Sequence, residues 1–272
     1  MDSKQVITSR QNPLIKSICA LSEKKRRTES GLFKIDGIKL LGEAVSAGVR
    51  IKYVVLREDT DARICELADK AVLECGGSVI TVSESVFEKM SEERSPEGVI
   101  TVAHMCDGLH KKGAFAEKGE RILIAEAIRD PGNLGTVIRS CYALGIDRLV
   151  LTSDCADLYN SKTVRAAMGA IFRLPTQSIS TDELVSFIGQ LKSEGRAVYA
   201  TALHTGALDI SELELKAGDC FVIGNEGHGL REETVEACTS AVIIPMREGA
   251  ESLNAAAAAA ICIWETVRAK AE

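Results

Sequence analysis

The apolar positions of this chain switch repeatedly between helical spacing and strand alternation. In the amino-terminal part, NPLIKSICALSEKK gathers its apolar residues on one helical face, LFKID reads as a short strand, and GIKLLGEAVSAG as a second amphipathic helix. IKYVVLR follows as a strand, DARICELADKAVLECG as a helix, and SVITV and GVITVAH as further strands. Residues 105–120 (MCDGLHKKGAFAEKGE) lose the periodicity and collect Gly, Lys and Glu, which marks a linker. The pattern therefore predicts a first domain over 1–104, a linker over 105–120 and a second domain over 121–272.

The second domain opens on RILIAEA, a strand of the fully buried type, followed by a helix through GTVIRSCYALG, the strand DRLVLT and a helix near SKTVRAAMGA. After a short FRLP segment come the helix TDELVSFIGQLKSEG, the strands RAVYAT and CFVIGN, a short helix LREETVEAC, the strand AVIIPM and a last helix, SLNAAAAAAICIWETVRAK. Strands that alternate with helices through short connections predict an α/β fold with a parallel sheet covered on both faces. In such sheets ligands gather at the carboxyl ends of the strands.

Composition adds limits. The chain has 272 residues, 46% hydrophobic and 26% charged, ordinary for a globular protein. No apolar run reaches the length of a membrane span, and MDSKQVITSRQNP lacks an apolar signal core. The nine cysteines form no CxxC pair, which favours free thiols in a reducing cytoplasm over disulfides or zinc. The net charge of −6 argues against binding nucleic acid with the whole surface. Yet residues 1–57 hold twelve Lys and Arg against five Asp and Glu. Arg10, Lys16, Lys24, Lys25, Arg26 and Arg27 are the candidates for contact with an RNA backbone, with Lys34 and Lys39 adding to the charge. A solvated helix face would account equally for KKRR taken alone.

Three segments at predicted strand ends carry the candidate chemistry: EAIRDPGNLGTVIRS, FVIGNEGHGL and IPMREGAESLNAAAAAA. None has the GxGxxG spacing of a dinucleotide site or the GxxxxGK(S/T) of a nucleoside-triphosphate site. The glycines at 224, 227 and 229 admit close approach to a ligand, but Glu226 in their midst would repel a phosphate. A nucleoside with a cationic tail and no phosphate suits such a loop, and S-adenosylmethionine is one.

The three segments, in this order and at the carboxyl-terminal end, resemble the motifs of the SpoU (TrmH) family of RNA 2′-O-ribose methyltransferases in the SPOUT superfamily. The resemblance covers about residues 120–270. The match of SRQNPLIKSICAL and FKIDGIKLL to the small α/β substrate-binding domain of many members is weaker. It implies a SPOUT parallel sheet with a trefoil knot, S-adenosylmethionine as cofactor, no metal, and a structured RNA substrate, ribosomal or transfer RNA. It also implies a homodimer. By motif position Asn133, Arg139, Glu226, Ser252 and Asn254 become the catalytic set, and Gly224, Ile244, Met246 and Leu253 the cofactor-lining set. Arg165 matches a basic position between motifs and is an RNA-contact candidate, while Ala167 departs from the serine frequent there. Ser252 and Asn254 could equally cap the last helix, and Ile244 and Leu253 could be plain core. His228 lies at a variable position and receives no role; His104, His110 and His204 show no metal spacing. A base methyltransferase and a noncatalytic RNA-binding protein on the same fold are the alternatives.

Overall fold

The structure is a computed structural model, describing residues 6–93, 95–113, 116–117, 119–225, 227–247, 249–250 and 252–268. It divides into two compact units, Met1–Cys106 with Asp157–Phe172, and Asp107–Ala156 with Arg173–Glu272.

The first unit contains strands β1 (Leu32–Asp36), β2 (Ile51–Arg57), β3 (Ser78–Val82) and β4 (Val99–His104) in the order β1-β4-β2-β3. Strand β4 runs antiparallel to both neighbours, and β2 and β3 are parallel. Helices α1 (Pro13–Ala20), α2 (Lys24–Ser30), α3 (Ile38–Ser46), α4 (Ala62–Cys75) and α5 (Glu84–Met90) accompany it. Two clusters form its core, one with Ile15, Ile18, Phe87 and Met90, the other with Leu41, Val54, Leu56 and Ala68. The single helix expected over NPLIKSICALSEKK is two helices, broken between Ala20 and Lys24.

Helix α7 (Ser161–Ala167) and its flanks pack inside this first unit, although the sequence placed them in a continuous 121–272 domain. The reason is an aromatic contact with β1, supported by Ser161, whose hydroxyl donates to Glu92, and by Asp157, which pairs with Arg27 of α2. Phe33 meets Tyr159 and Phe172 at ring-centroid distances of 4.7 and 6.4 Å. Lys34, buried, donates to the Met90 carbonyl and pairs with Glu92 at 2.8 Å. Asp36 sits beside them, and burial pushes its carboxyl up to about 6, against the opposing pull of Lys34.

The second unit is one eight-stranded, wholly parallel sheet. Its strands are β5 (His110–Lys112), β6 (Ile122–Ala125), β7 (Arg148–Thr152), β8 (Thr176–Ile179), β9 (Val198–Thr201), β10 (Leu208–Asp209), β11 (Cys220–Ile223) and β12 (Ser240–Ile243), in the order β10-β12-β9-β11-β6-β7-β8-β5. The central β11, β6 and β7 are buried along their whole length, the mark of a sheet covered on both faces. Helices α6 (Pro131–Leu144), α8 (Thr181–Ser193), α9 (Glu232–Ala237) and α10 (Ala255–Arg268) complete the unit. Helix α8 shows why the pattern was readable: Leu184, Phe187, Ile188 and Leu191 recur at helical spacing and are all buried against the sheet. Each large side chain so buried contributes about 1.5–3 kcal/mol. Within the stretch read as a linker, His110–Lys112 forms an edge strand beside β8.

Among the described residues no helix is long and apolar enough to cross a membrane, and no group of His, Cys, Asp or Glu is placed to hold a metal ion. All nine cysteines are free. Burial pushes the thiols of Cys220, Cys238 and Cys262 up to about 12, so they are inert packing groups.

Candidate active site

The site is built at the carboxyl ends of β6, β11 and β12, where the chain must turn sharply. Glu126 directly follows β6, and Ala127 comes next with φ of 55°, a conformation that costs a non-glycine residue on the order of 1 kcal/mol. Two hydrogen bonds hold it there: its N–H donates to Thr152 Oγ1 at 2.9 Å, and its carbonyl accepts from Asn225 Nδ2 at 2.7 Å. The second bond ties the glycine loop after β11 to the first strand end. The loop closes on itself through paired Asn225 and Gly229 backbone bonds of 3.0 Å each. A Cβ at Gly224 would lie 2.5 Å from the Gly229 carbonyl carbon, so only glycine allows this closure.

Helix α6 starts at Pro131, capped by Asp130, whose carboxylate accepts from the Asn133 N–H at 2.7 Å. Helix α10 starts beside it. Asn254 Oδ1 accepts from the Ala256 N–H at 2.9 Å, the capping bond expected from sequence, while its Nδ2 donates to Asn133 Oδ1 at 2.9 Å. One side chain thus caps the last helix and joins the third motif to the first.

Beneath the glycine loop lies an ionic network absent from the candidates named from sequence. Glu126, 1% exposed, accepts through Oε1 from Arg231 Nη1 at 2.6 Å and from Thr234 Oγ1 at 2.9 Å, and through Oε2 from the Arg231 N–H at 3.1 Å. Arg231 Nη2 also donates to Asp154 at 2.5 Å, and Asp154 accepts from Thr152 Oγ1 at 2.6 Å. Burial opposes ionisation of Asp154, but the Thr152 and Arg231 bonds outweigh it and hold the carboxyl below its ordinary range. The sequence signal was a carboxylate directly after the apolar ILIA run, with an arginine just past the glycine loop.

The turns after β9, β11 and β12 line a cleft of about 680 Å³, with the β6 turn bracing it from outside the lining. Gly224, Ile244, Met246, Ser252 and Leu253 line it, as do Asn225, Leu230 and the Thr201–His204 segment that ends β9. Of the residues named from sequence, Asn133 and Asn254 stand linked to each other outside that lining, and Arg139 is exposed on α6. Glu226 lies outside the described residues. A cleft of this size with mixed polar and apolar, backbone-rich walls fits an adenosine, and neither lysine nor arginine stands among its described lining residues to favour a phosphate there.

The RNA-contact candidates separate sharply. Lys16, Lys24, Lys25 and Arg26 are exposed on α1 and α2, with Lys25 and Arg26 facing Glu29 at 4.0 and 3.0 Å. Arg10 is exposed and donates to the Ser85 carbonyl. Arg165 is partly exposed, with Glu93 at 3.9 Å. Arg27 must be withdrawn from the set. It is 3% exposed, donates to the carbonyls of Leu21 and Ser22, and pairs with Asp157 at 2.7 Å, and its remaining Nε is buried out of a phosphate's reach.

An adenosine-sized cleft at the strand ends of a parallel sheet, beside an asparagine pair at two helix starts, agrees with the class that the similarity to known proteins defines, an S-adenosylmethionine-dependent RNA ribose 2′-O-methyltransferase. The chain belongs to the SpoU rRNA Methylase family, whose model matches residues 120–264. A second model, the MRM3-like substrate binding domain, matches residues 12–101. The 23S rRNA (guanosine(2553)-2′-O)-methyltransferase RlmP of Bacillus subtilis is 35% identical over 95% of this chain and 97% of its own. The S-adenosylmethionine-bound rRNA methyltransferase of Sinorhizobium meliloti superposes with a TM-score of 0.83 at 29% identity, covering 97% of each chain. The cofactor complex of AviRb from Streptomyces viridochromogenes gives 0.81 at 25% identity, covering 95% of this chain and 98% of its own. The parallel sheet described above is consistent with the knotted fold of the family.

Proposed function

We propose that this protein methylates a ribose 2′-hydroxyl in the ribosomal RNA of the large subunit. The observation that carries the reading is the cleft itself, walled by the turns after β11 and β12 and braced to the β6 turn through Asn225 and Ala127. The cofactor, when bound, supplies a methyl group already activated on a sulfonium, so the chain's own task is positioning. Gly224, Ile244, Met246 and Leu253 hold the adenosine through backbone and apolar contact. Asn254, fixed by Asn133, sets the geometry of the third turn. Arg139 is a permanent cation and a poor general base; its planar fork instead holds an RNA phosphate and brings the neighbouring hydroxyl into line. Glu226 and Ser252 complete the set around the substrate. The large-subunit target is supported by the name of the Bacillus relative, which matches this chain along nearly its whole length.

The second unit acts as a homodimer in this reading. Tyr142 on α6 is 47% exposed and Trp264 on α10 is 56% exposed, and the two helices pack against each other, so large aromatics stand on one helical layer. Sedimentation of the protein and of Trp264→Glu distinguishes a dimer from a monomer.

The decisive experiment incubates the purified protein with labelled S-adenosylmethionine and protein-free 23S ribosomal RNA, then maps 2′-O-methyl nucleosides by mass spectrometry. Transfer to one ribose position is expected. A folded protein that binds S-adenosylhomocysteine yet labels transfer RNA and no ribosomal RNA would refute the substrate.

A further inference from the structure

The first unit carries a second concavity that neither the motifs nor the exposed basic helices include. It has a volume of about 350 Å³ and is lined by Arg50, Lys52, Tyr53, His104 and the Gly76–Ser78 turn, with Ile51 at its base. Its shape follows from two backbone features. The β2–β4 ladder breaks register between Ile51 and Tyr53, where Ile51 faces Ala103 and Tyr53 faces Val102, so Lys52 is the extra residue of a β-bulge. A bulge frees one residue from the ladder and re-aims its side chain. Opposite it, Gly77 has φ of 91°, and a Cβ there would lie 2.7 Å from the Lys52 carbonyl oxygen and 2.8 Å from that of Ile51. The turn can therefore close on the bulge only as glycine.

The chemistry of the lining is one-sided. It holds no carboxylate, and among the described residues neither Arg50 nor Lys52 is paired with one. The ammonium of Lys52 stands 5.7 Å from the centroid of the Tyr53 ring, which leaves it exposed to a further partner. The His104 imidazole is held below its ordinary range by burial, and further by Arg50 and Lys52. Three nitrogen-bearing side chains thus share a half-enclosed hollow with no counter-anion, next to an aromatic ring. Like charges so placed cost stability unless an anion joins them. Arg63 and Lys70, also exposed on this unit, face the acid partners Asp61 and Glu74.

We propose that this hollow is a subsite for the phosphate backbone of the RNA substrate, with Arg50 and Lys52 as the phosphate ligands and Tyr53 as a face for the adjoining base. The assignment rests on the reading of the protein as an RNA methyltransferase, and it places an RNA contact at a part of the first unit separate from α1 and α2.

The test measures binding of protein-free ribosomal RNA to the full chain over a range of salt. It compares wild type with Arg50→Gln/Lys52→Gln and with Arg63→Gln/Lys70→Gln, which removes the same charge from exposed acid-paired positions. With Arg50 and Lys52 together holding one phosphate, losing that contact should weaken binding roughly tenfold near 0.1 M salt and reduce the slope of log affinity against log salt by about 0.7–0.9. The Arg50/Lys52 variant should show this with unchanged S-adenosylhomocysteine affinity and melting temperature, while the Arg63/Lys70 variant stays near wild type. Equal losses in both variants, or wild-type affinity and slope in the Arg50/Lys52 variant, would overturn the subsite. A parallel titration with inorganic pyrophosphate separates sources: pyrophosphate binding abolished in the Arg50/Lys52 variant with RNA binding intact would make the hollow a free-anion site and refute the proposal. Failure of the wild type itself to bind or methylate ribosomal RNA would strike the functional reading instead.

Discussion

Arg231→Met tests whether the ionic network under the glycine loop shapes the cofactor cleft. The substitution keeps much of the aliphatic length and deletes the guanidinium. Glu126, 1% exposed, would keep only the Thr234 hydroxyl and the residue-231 N–H as donors, and Asp154 would keep only Thr152. Removing one partner of a buried ion pair costs about 3–5 kcal/mol when both partners are enclosed. The Arg231 side chain is 32% exposed and Asp154 28%, so water reaches part of the network and the cost falls below that range, to about 2–3 kcal/mol. For a protein of this size that lowers the melting temperature by roughly 4–12 °C.

The cofactor effect should exceed what stability alone demands, because Arg231 immediately follows the Gly224–Leu230 loop and its own N–H is one of the bonds to Glu126. A loop released from this anchor must be ordered on binding, and a cost of about 1.4 kcal/mol is a tenfold loss of S-adenosylhomocysteine affinity. Urea unfolding and calorimetric titration at pH 7 measure the two quantities. The stability difference should stay level above about pH 4 and shrink below it: the Asp154 carboxyl titrates lower in the fold than in the unfolded chain, so its contribution is present above the unfolded value and lost as pH falls through the folded one. An Arg231→Met protein within about 0.5 kcal/mol of wild type, with unchanged cofactor affinity, would show that the network contributes nothing.

Three further outcomes follow from other parts of the molecule. Arg139→Ala should lower single-turnover methylation on the order of 100-fold with cofactor affinity and melting temperature unchanged, and Arg139→Lys should recover little, since an ammonium cannot reproduce the fork; near-normal transfer by the alanine variant would remove Arg139 from the mechanism. Asp36→Asn should become more stable relative to wild type as pH rises from about 4 to 6, by up to about 3 kcal/mol, and level off above, because a carboxyl raised to about 6 destabilises the fold once it must ionise; a pH-independent difference in urea midpoints would count against it. Arg27→Gln should cost about 2 kcal/mol or more in stability by stranding Asp157 and the Leu21 and Ser22 carbonyls, whereas Lys24→Gln should leave stability unchanged and weaken RNA binding; the same assays on both variants decide between pin and surface.

What was legible in the sequence is what local spacing encodes. Helix α8 announced itself through four apolar residues on one face, and β6, β7 and β11 through continuous apolar runs. The turns that wall the cleft were legible for a similar reason: a strand that ends in Gly, Asn or Ser has nowhere to go but a tight turn. Strand β8 was not, because TQSI has too few apolar residues to signal a strand, and its Gln177 is buried by virtue of a hydrogen bond to the Gly113 carbonyl. The KKRR run shows the limit most plainly. Four adjacent cations look alike as charge, but a helix turns each to a different direction, and only Arg27 points inward to carbonyls and a carboxylate 130 residues away. The positions of Glu126 and Arg231 carried a local signal, but their pairing with each other and with Asp154 did not, because the partners lie 105 and 77 residues apart in the chain. A motif names the residues that face a ligand. Those that hold the motif in place are defined by distance across the fold, and here they are charged groups that a reading by composition assigns to the surface.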